Sequence, residues 1–167
     1  MKILKIFDSQ NYESSWAKFK RDSVRAIIFH DDKLAMIKSD KFSEYKFLGG
    51  GIEPDEAHLD ALAREVKEEG GLDIILSSVK EYGKTINRRK GQGHNEIFEQ
   101  ESFYYFCDVN ENKTDAKLDD GYETEYGYKL VYVTLTQAIE QNAKLLNMPE
   151  MPWVERELFV LRQLQKG

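Results

Sequence analysis

Three glutamates, Glu65, Glu68 and Glu69, lie close together in the chain. At about 100° per residue they fall within a ~100° arc of a helix, so a helix would direct all three carboxylates towards one neighbouring space. Carboxylate oxygens are the donors that hard cations such as Mg²⁺ and Mn²⁺ prefer. The same spacing also fits a solvated acidic helix face in which Arg64 pairs with Glu68 at i+4.

The surrounding residues predict the helix that would carry these carboxylates. Pro54 and Asp55 are typical of a helix start, Glu56 places negative charge in the first turn, and the glycines at 70–71 indicate a stop. The apolar residues with helical spacing are Leu59, Leu62, Ala63 and Val66. We therefore expect a helix that buries one edge and presents its acidic edge to a cleft.

A glycine-rich segment precedes the helix and reads Tyr-Lys-Phe-Leu-Gly-Gly-Gly over residues 45–51. Glycine lets the backbone approach a ligand closely and adopts positive φ without penalty. We expect a loop here, either a ligand-binding loop or a flexible turn.

The stretch from Gly50 to Leu72 fits the pattern Gly-x5-Glu-x7-Arg-Glu-U-x-Glu-Glu-x-Gly-U, where U is a large aliphatic residue, at every fixed position. Average residue frequencies give a chance match of less than roughly one in a million for a chain of this length. This pattern is the Nudix box, and the chain therefore resembles a Nudix hydrolase. The box is the specific part of a resemblance that extends over roughly residues 24 to 165.

The resemblance implies a metal site and a reaction. In the family, the equivalents of Glu65, Glu68 and Glu69 hold divalent metal, the arginine at Arg64 orients them, and a backbone carbonyl at Gly50 often joins the metal shell. The cofactor expected is Mg²⁺, with Mn²⁺ as an alternative. The reaction expected is hydrolysis of a diphosphate linkage, usually in a nucleoside diphosphate derivative, by attack of water on phosphorus. Many members have Pro where this chain has Leu48.

The general base is less well defined, because family members differ in where it lies. Glu65 could serve as base or as ligand. Outside the box, Glu125 is the first choice and Glu123 the second, since in many members a glutamate at about this distance before a late strand reaches the metals. The alternative is an acidic surface loop. The weaker candidates are Glu96, Glu99 and Glu101.

Several residues outside the box could bind substrate. Arg25 stands alone among apolar residues and could bind phosphate or be a paired buried arginine. Arg88 belongs to a basic group that could contact phosphates or form a solvated hairpin tip, in a loop with Gly91 and Gly93. That group is Lys84, Arg88, Arg89 and Lys90. The candidates for stacking on a base, for which packing is the alternative, are Tyr45, Tyr126 and Tyr128.

The whole chain of 167 residues is expected to form one domain, with residues 1–22 as an N-terminal extension. No apolar run approaches the ~20 residues of a membrane helix, and a lone Cys107, predicted to be a core thiol, excludes an internal disulfide. We expect a cytoplasmic protein. The net charge of -6 argues against broad electrostatic attraction to nucleic acid or anionic membranes. The resemblance implies a small nucleotide-like substrate, whose phosphates the glutamates would repel unless cations lay between them. A homodimer is left open.

Hydrophobic patterns predict a mixed sheet between helices, that is, an α/β/α sandwich, which is also the Nudix fold. The predicted strands are 2–7, 24–29, 34–38, 72–76, 79–82, 103–107 and 130–135, with 24–29 and 34–38 forming a hairpin. Helices are predicted over 135–146, with a capping box at Thr134 and Gln137, and from Pro152 to Leu164. A binding or sensor module that has lost turnover is the alternative to an enzyme, although every box residue is intact.

Overall fold

The computed structural model describes residues 1–110 and 127–167, which form three layers. Within this part of the chain the strands are β1 (Ile3–Asp8), β2 (Ala17–Lys20), β3 (Ser23–Ile27), β4 (Phe29–His30), β5 (Lys33–Lys38), β6 (Tyr45–Gly51), β7 (Asp73–Ile74), β8 (Lys80–Lys90), β9 (Glu96–Phe106), β10 (Val109–Asn110) and β11 (Lys129–Thr134). The helices are α1 (His58–Gly70), α2 (Leu135–Lys144) and α3 (Val154–Lys166).

The main sheet is mixed, with the order β1-β8-β9-β3-β6-β5-β11, while β2 pairs with β9 and β4 with β5. The pairs β1 with β8, β2 with β9 and β3 with β9 are parallel, and the other pairs of this sheet are antiparallel. Strand β6 therefore lies near the centre, which places the glycine-rich segment inside the sheet.

Two hydrophobic clusters hold the layers together, one on each face of the sheet. Helix α1 contributes Ala61, Leu62 and Val66 to the first cluster. Helices α2 and α3 contribute Ala138, Val160 and Leu161 to the second. The predicted α/β/α sandwich with a mixed sheet is confirmed.

The predicted hairpin is divided differently in the structure. The segment predicted as one strand from 24 to 29 splits into β3, which joins the centre of the sheet, and β4, which forms the short hairpin with β5. The turn contains Asp31 with a positive φ of 54°. Between the two pieces, the Ile28 carbonyl accepts a hydrogen bond from the Ala35 amide at 2.9 Å.

Two segments predicted as loops are strands. Residues 45–51 form β6, because they pair with β5 and then with β3. The basic group also lies in a strand, since β8 continues through Arg88 to Lys90 and pairs along its length with β9. The alternation of apolar and polar side chains that marks a strand is absent from the local sequence when charged side chains occupy both faces of the strand.

The N-terminal extension contributes to the same sheet. Strand β1 pairs in parallel with β8, and β2 with β9, so residues 1–22 widen the sheet. Helix α2 has the predicted capping box, in which the Thr134 hydroxyl accepts from the Gln137 amide and the Gln137 side chain accepts from the Thr134 amide. Helix α3 begins at Val154, just after Pro152.

Candidate active site

Strand β6 and helix α1 meet at two glycines that leave no room for a side chain. At Gly49, φ is 144° and an added Cβ would lie 2.0 Å from the Val24 carbonyl oxygen. At Gly50, an added Cβ would lie 2.5 Å from the Glu65 carboxylate. The Glu65 carboxylate thus packs directly on the backbone of Gly50, an approach that only glycine permits.

Arg64 is the centre of a hydrogen-bonded cluster beside these glycines. Its Nε and Nη2 donate to the Glu56 carboxylate at 2.8 and 2.9 Å, and its Nη1 donates to Glu65 Oε1 at 2.8 Å. Nη2 also donates to the Gly51 carbonyl at 3.0 Å, and Nη1 lies 3.5 Å from Glu68 Oε2. One guanidinium therefore joins the strand, the turn before α1 and the acidic edge of α1, a task that suits its planar fork of donors.

Glu56 lies outside the helix that was predicted to contain it. Asp55 has a positive φ of 62° and the Glu56 amide donates to the Glu53 carbonyl, so a turn precedes the helix, which begins at His58. Hydrogen bonds from Arg64, helped by the Glu53 amide, lower the pKa of Glu56 to about 2. The carboxylate is therefore ionised at neutral pH and anchors the arginine.

This pKa shift predicts how the cluster responds to acid. Because folding lowers the pKa of Glu56 from 4.5 to about 2, its ion pair stabilises the folded state above pH 4.5 and loses that effect as the pH falls towards 2. Glu56→Gln should therefore flatten the fall of the unfolding free energy across this window, measured by urea denaturation at a series of pH values. Glu140→Gln, at an exposed position on α2, is the control and should leave the slope unchanged. Parallel curves for wild type and Glu56→Gln would contradict the pairing.

Burial and charge act in opposite directions on Glu65. Burial raises the pKa of Glu65 above its ordinary value, whereas the hydrogen bond from Arg64 and the charges of Arg64 and Arg25 lower it. Burial thus keeps the proton affinity of the Glu65 carboxylate high. Such a partly desolvated carboxylate can act as a metal ligand or as a proton acceptor.

The three box glutamates do not all share one space, although the helix geometry had led us to expect it. Glu69 is buried, and its Oε2 accepts a hydrogen bond from the Gly49 amide at 2.9 Å. Glu68 is half-buried next to Arg64, with 43% of its side chain accessible. Glu65 and Glu68 therefore lie against the same guanidinium, whereas Glu69 is held by the strand. Within residues 1–110 and 127–167, no three His, Cys, Asp or Glu side chains form a ready metal cluster.

Comparison with known proteins decides the family. Residues 19–154 match the family described as NUDIX domain. The chain belongs to the Nudix family. A segment of 57 residues is 40% identical to the CTP pyrophosphohydrolase of Escherichia coli (strain K12), and it covers 32% of this chain and 42% of that protein. The chain therefore matches less than half the length of that relative.

Solved structures agree on the Nudix fold. The NUDIX hydrolase from Nitrosomonas europaea superposes with a TM-score of 0.56 at 20% identity, over 83% of this chain and 88% of that chain. The MutT protein from Bacillus halodurans does so with a TM-score of 0.54 at 17% identity, over 72% of each chain. The predicted family and fold are thus confirmed. Among the described residues, no helix is long and apolar enough to cross a membrane.

The box residues fit the divalent cation that Nudix hydrolases generally use. The donors gathered around Gly50 are carboxylate oxygens and backbone carbonyls, which is the donor set that hard cations prefer. The close packing of Glu65 on Gly50 brings a carboxylate and the backbone of the glycine-rich segment together. The groups that would hold the cation are Glu65, Gly50, Glu68 and Glu69. Glu68 and Glu69 would first have to turn away from their present hydrogen bonds.

The predicted substrate-binding residues are only partly brought to the Nudix box. Arg88 lies on the face of the sheet that α1 covers in part, because β8 and β9 alternate in register, but it is ion-paired with Glu99 at 2.6 Å. Tyr45 packs instead against the cluster under α2 and α3. Tyr128 is buried, with its hydroxyl donating to Glu44 at 2.7 Å. Glu123, Glu125 and Tyr126 lie outside the described residues.

Arg25 is buried, with 8% of its surface accessible, and forms no salt bridge within the described ranges, although its charge acts on Glu65. Its Nη1 donates to the Gly49 carbonyl at 2.9 Å and lies 3.4 Å from the Phe47 carbonyl. The sequence left phosphate binding and a paired buried arginine open for Arg25. In the structure Arg25 is buried, and its contacts are with the backbone of the glycine-rich strand.

Sequence reasoning missed two features next to the box. An ion-pair network joins β8, β9 and the end of β2, with Lys84 and Lys20 both contacting Glu101. His58 is half-buried, and its Nδ1 lies 2.8 Å from the Tyr105 hydroxyl. Cross-strand alternation of opposite charges in 84–88 and 99–101 was the signal for the network, but the strand pairing had to be known first.

Proposed function

We propose that this protein is a divalent-cation-dependent hydrolase that cleaves the diphosphate linkage of a nucleoside diphosphate derivative. The observation that supports it most strongly is the packing of the Glu65 carboxylate on Gly50 with Arg64 bridging Glu65, Glu56 and the Gly51 carbonyl. This arrangement joins three of the five charged fixed positions of the box; Glu68 lies 3.5 Å from Arg64 Nη1, and Glu69 bonds the adjacent Gly49.

The chain's own residues would divide the chemistry between binding and proton transfer. A bound Mg²⁺ would neutralise phosphate charge and lower the pKa of the attacking water. Arg64 holds Glu65 Oε1 through Nη1, which fixes the carboxylate plane against Gly50. Glu65 would accept the proton of the water or bind the cation, and Glu125 is the alternative proton acceptor. The box carries four carboxylates, those of Glu56, Glu65, Glu68 and Glu69. They would repel an anionic substrate unless a cation lay between the carboxylates and the substrate phosphates.

The identity of the substrate is a narrower proposal. One relative is named as a CTP pyrophosphohydrolase, and a protein of similar fold is named as an ADP compounds hydrolase. A nucleoside 5′-diphosphate group is common to both compound classes, and we propose it as the recognised part. A cytoplasmic location and a homodimer remain predictions.

The test is a hydrolysis panel with purified protein. The panel contains CTP and other nucleoside triphosphates, ADP-ribose-like compounds, nucleotide sugars and dinucleoside polyphosphates. We expect at least one compound to release a phosphomonoester in Mg²⁺, no release in excess chelator, and recovery when Mg²⁺ is restored in excess. Calorimetry on the same panel separates the alternatives: tight nucleotide binding without any turnover would replace the hydrolase by a sensor module, and undiminished turnover in chelator would refute the cation requirement.

A further inference from the structure

Strand β6 changes its neighbour in the middle, at the point where the glycines begin. It pairs with β5 through Tyr45–Phe47 in antiparallel register and with β3 through residues 48–51. At this change of neighbour, buried side chains bond the strand's backbone. The Phe47 amide donates to Glu157 Oε2 at 2.9 Å, and the Gly49 amide donates to Glu69 Oε2 at 2.9 Å.

Arg25 is a third buried side chain that bonds the backbone of β6, and it does so from the face of the sheet opposite α1. Its neighbours Val24 and Ala26 belong to the cluster under α1, so the alternation of β3 directs Arg25 to the face that α2 and α3 cover. From there its Nη1 reaches the Gly49 carbonyl at 2.9 Å. The polar groups of Gly49 are thus held from both faces, the N–H by Glu69 and the C=O by Arg25.

The next residue along the strand is Gly50, whose backbone packs against the Glu65 carboxylate. A shift of the Gly49 carbonyl would rotate the peptide that joins the two glycines and move Gly50 relative to Glu65. Arg25 therefore controls the geometry between the strand and the acidic edge of α1 without touching that edge. Its planar guanidinium keeps one nitrogen within reach of carbonyls two residues apart, whereas a lysine ammonium lacks that fixed orientation.

We propose that Arg25 is a positioning residue, which fixes the Gly49 and Gly50 backbone for cation binding and does not contact the substrate. This inference rests on the proposed function, because it presupposes a cation at the box. It replaces phosphate binding as the role of Arg25, since the side chain is buried and its Nη1 is engaged by backbone carbonyls. Its Nε is also buried, without a hydrogen-bond partner among the described residues, so the polar contacts that hold the side chain there are those of Nη1.

The experiment compares Arg25→Met and Arg25→Lys with Arg156→Lys. Arg156 is the matched control, because it is a second buried arginine on the same face that does not bond the glycines. It bonds Gln100, Ser102 and Glu157 Oε1, and it reaches β6 only indirectly, since Glu157 Oε2 accepts from the Phe47 amide. Three quantities are measured: the affinity for Mn²⁺ without substrate, from the electron paramagnetic resonance signal of free Mn²⁺; kcat and KM at saturating Mg²⁺; and Tm. The substrate is the best one from the panel.

We expect Arg25→Met to weaken Mn²⁺ binding about tenfold and to lower kcat, with KM at saturating Mg²⁺ changed by less than about twofold. Arg25→Lys should give a smaller loss in the same direction, and it carries the test if the methionine variant does not fold. Arg156→Lys should lower Tm and leave Mn²⁺ affinity unchanged. Chemical shifts of the Gly49 and Gly50 amides should change more in Arg25→Lys than in Arg156→Lys.

A higher KM with unchanged Mn²⁺ affinity in the Arg25 variants would overturn the proposal in favour of a substrate contact. Equal weakening of Mn²⁺ binding by Arg25→Lys and Arg156→Lys would overturn it in favour of a general loss of packing. If the wild type neither binds Mn²⁺ nor hydrolyses the panel, the proposed function itself fails. If the wild type does both and the Arg25 variants bind Mn²⁺ normally, only the role of Arg25 is refuted.

Discussion

Glu65→Gln is expected to lower kcat at least about 100-fold while the fold is retained, a loss typical of removing one preorganised charged group from an active site. Glutamine keeps the shape of the side chain and can still accept the hydrogen bond from Arg64 Nη1. It removes the negative charge that packs against Gly50, and with it a strong cation ligand or a proton acceptor. The measurement is kcat at saturating Mg²⁺, with circular dichroism and Tm to confirm folding.

Glu81→Gln is the control for this substitution, because Glu81 is 64% exposed on β8 and its ion pair among the described residues is a 3.9 Å contact with the N-terminal amine. The same change of charge at this position should leave kcat unchanged. If Glu65→Gln retained kcat within about threefold of the wild type, the Glu65 carboxylate that packs on Gly50 would have no catalytic role. Other residues would then have to accept the proton or bind the cation.

The part of the site that depends on local sequence could be predicted well. Helix α1, its glycine stop at Gly71 in the left-handed conformation, and the contact between Arg64 and Glu65 all follow from residues within one short segment. Such features depend on helical periodicity and on glycine's tolerance of positive φ, which a single sequence reveals. The start of the helix is later than the pattern predicts, because residues 54–57 precede a helix that begins at His58, whereas the pattern places Glu56 in the first turn.

The features that depend on strand pairing could not be predicted from local sequence. Residues 45–51 have three consecutive glycines and resemble a loop, yet β3 and β5 supply the hydrogen-bond partners that make them a strand. The basic stretch ending at Lys90 is a strand for the same reason, because β9 lies opposite it. Tertiary context commonly overrides strand propensity in this way.

The arrangement of the carboxylates shows a second limit of prediction from sequence. Helix geometry predicts the directions of Glu65, Glu68 and Glu69 correctly as neighbours on one edge, but not where each side chain ends. The Gly49 amide attracts Glu69 into the interior, and Arg64 competes for Glu65 and Glu68. These donors come from the strand and from the helix itself, so the final positions depend on packing between elements that periodicity does not encode.

Arg64→Lys is expected to lower kcat about 10- to 100-fold, the range usual for residues that orient a metal ligand. A lysine has one ammonium group, which cannot bridge the Glu56 carboxylate, Glu65 Oε1 and the Gly51 carbonyl at once. Glu65 would then lose the donor that fixes its plane against Gly50. The affinity for Mn²⁺ without substrate should fall with kcat, whereas KM at saturating metal should change little.

A double-mutant cycle with Glu56→Gln separates orientation from simple charge pairing. If Glu56 anchors Arg64 so that Arg64 can orient Glu65, Glu56→Gln alone should lower kcat, and adding it to Arg64→Lys should cause little further loss. Additive effects would show that Glu56 and Arg64 act independently. Wild-type kinetics and Mn²⁺ affinity in Arg64→Lys would refute the orienting role, because the three contacts of the guanidinium would then contribute only to the surface ion pairing of α1.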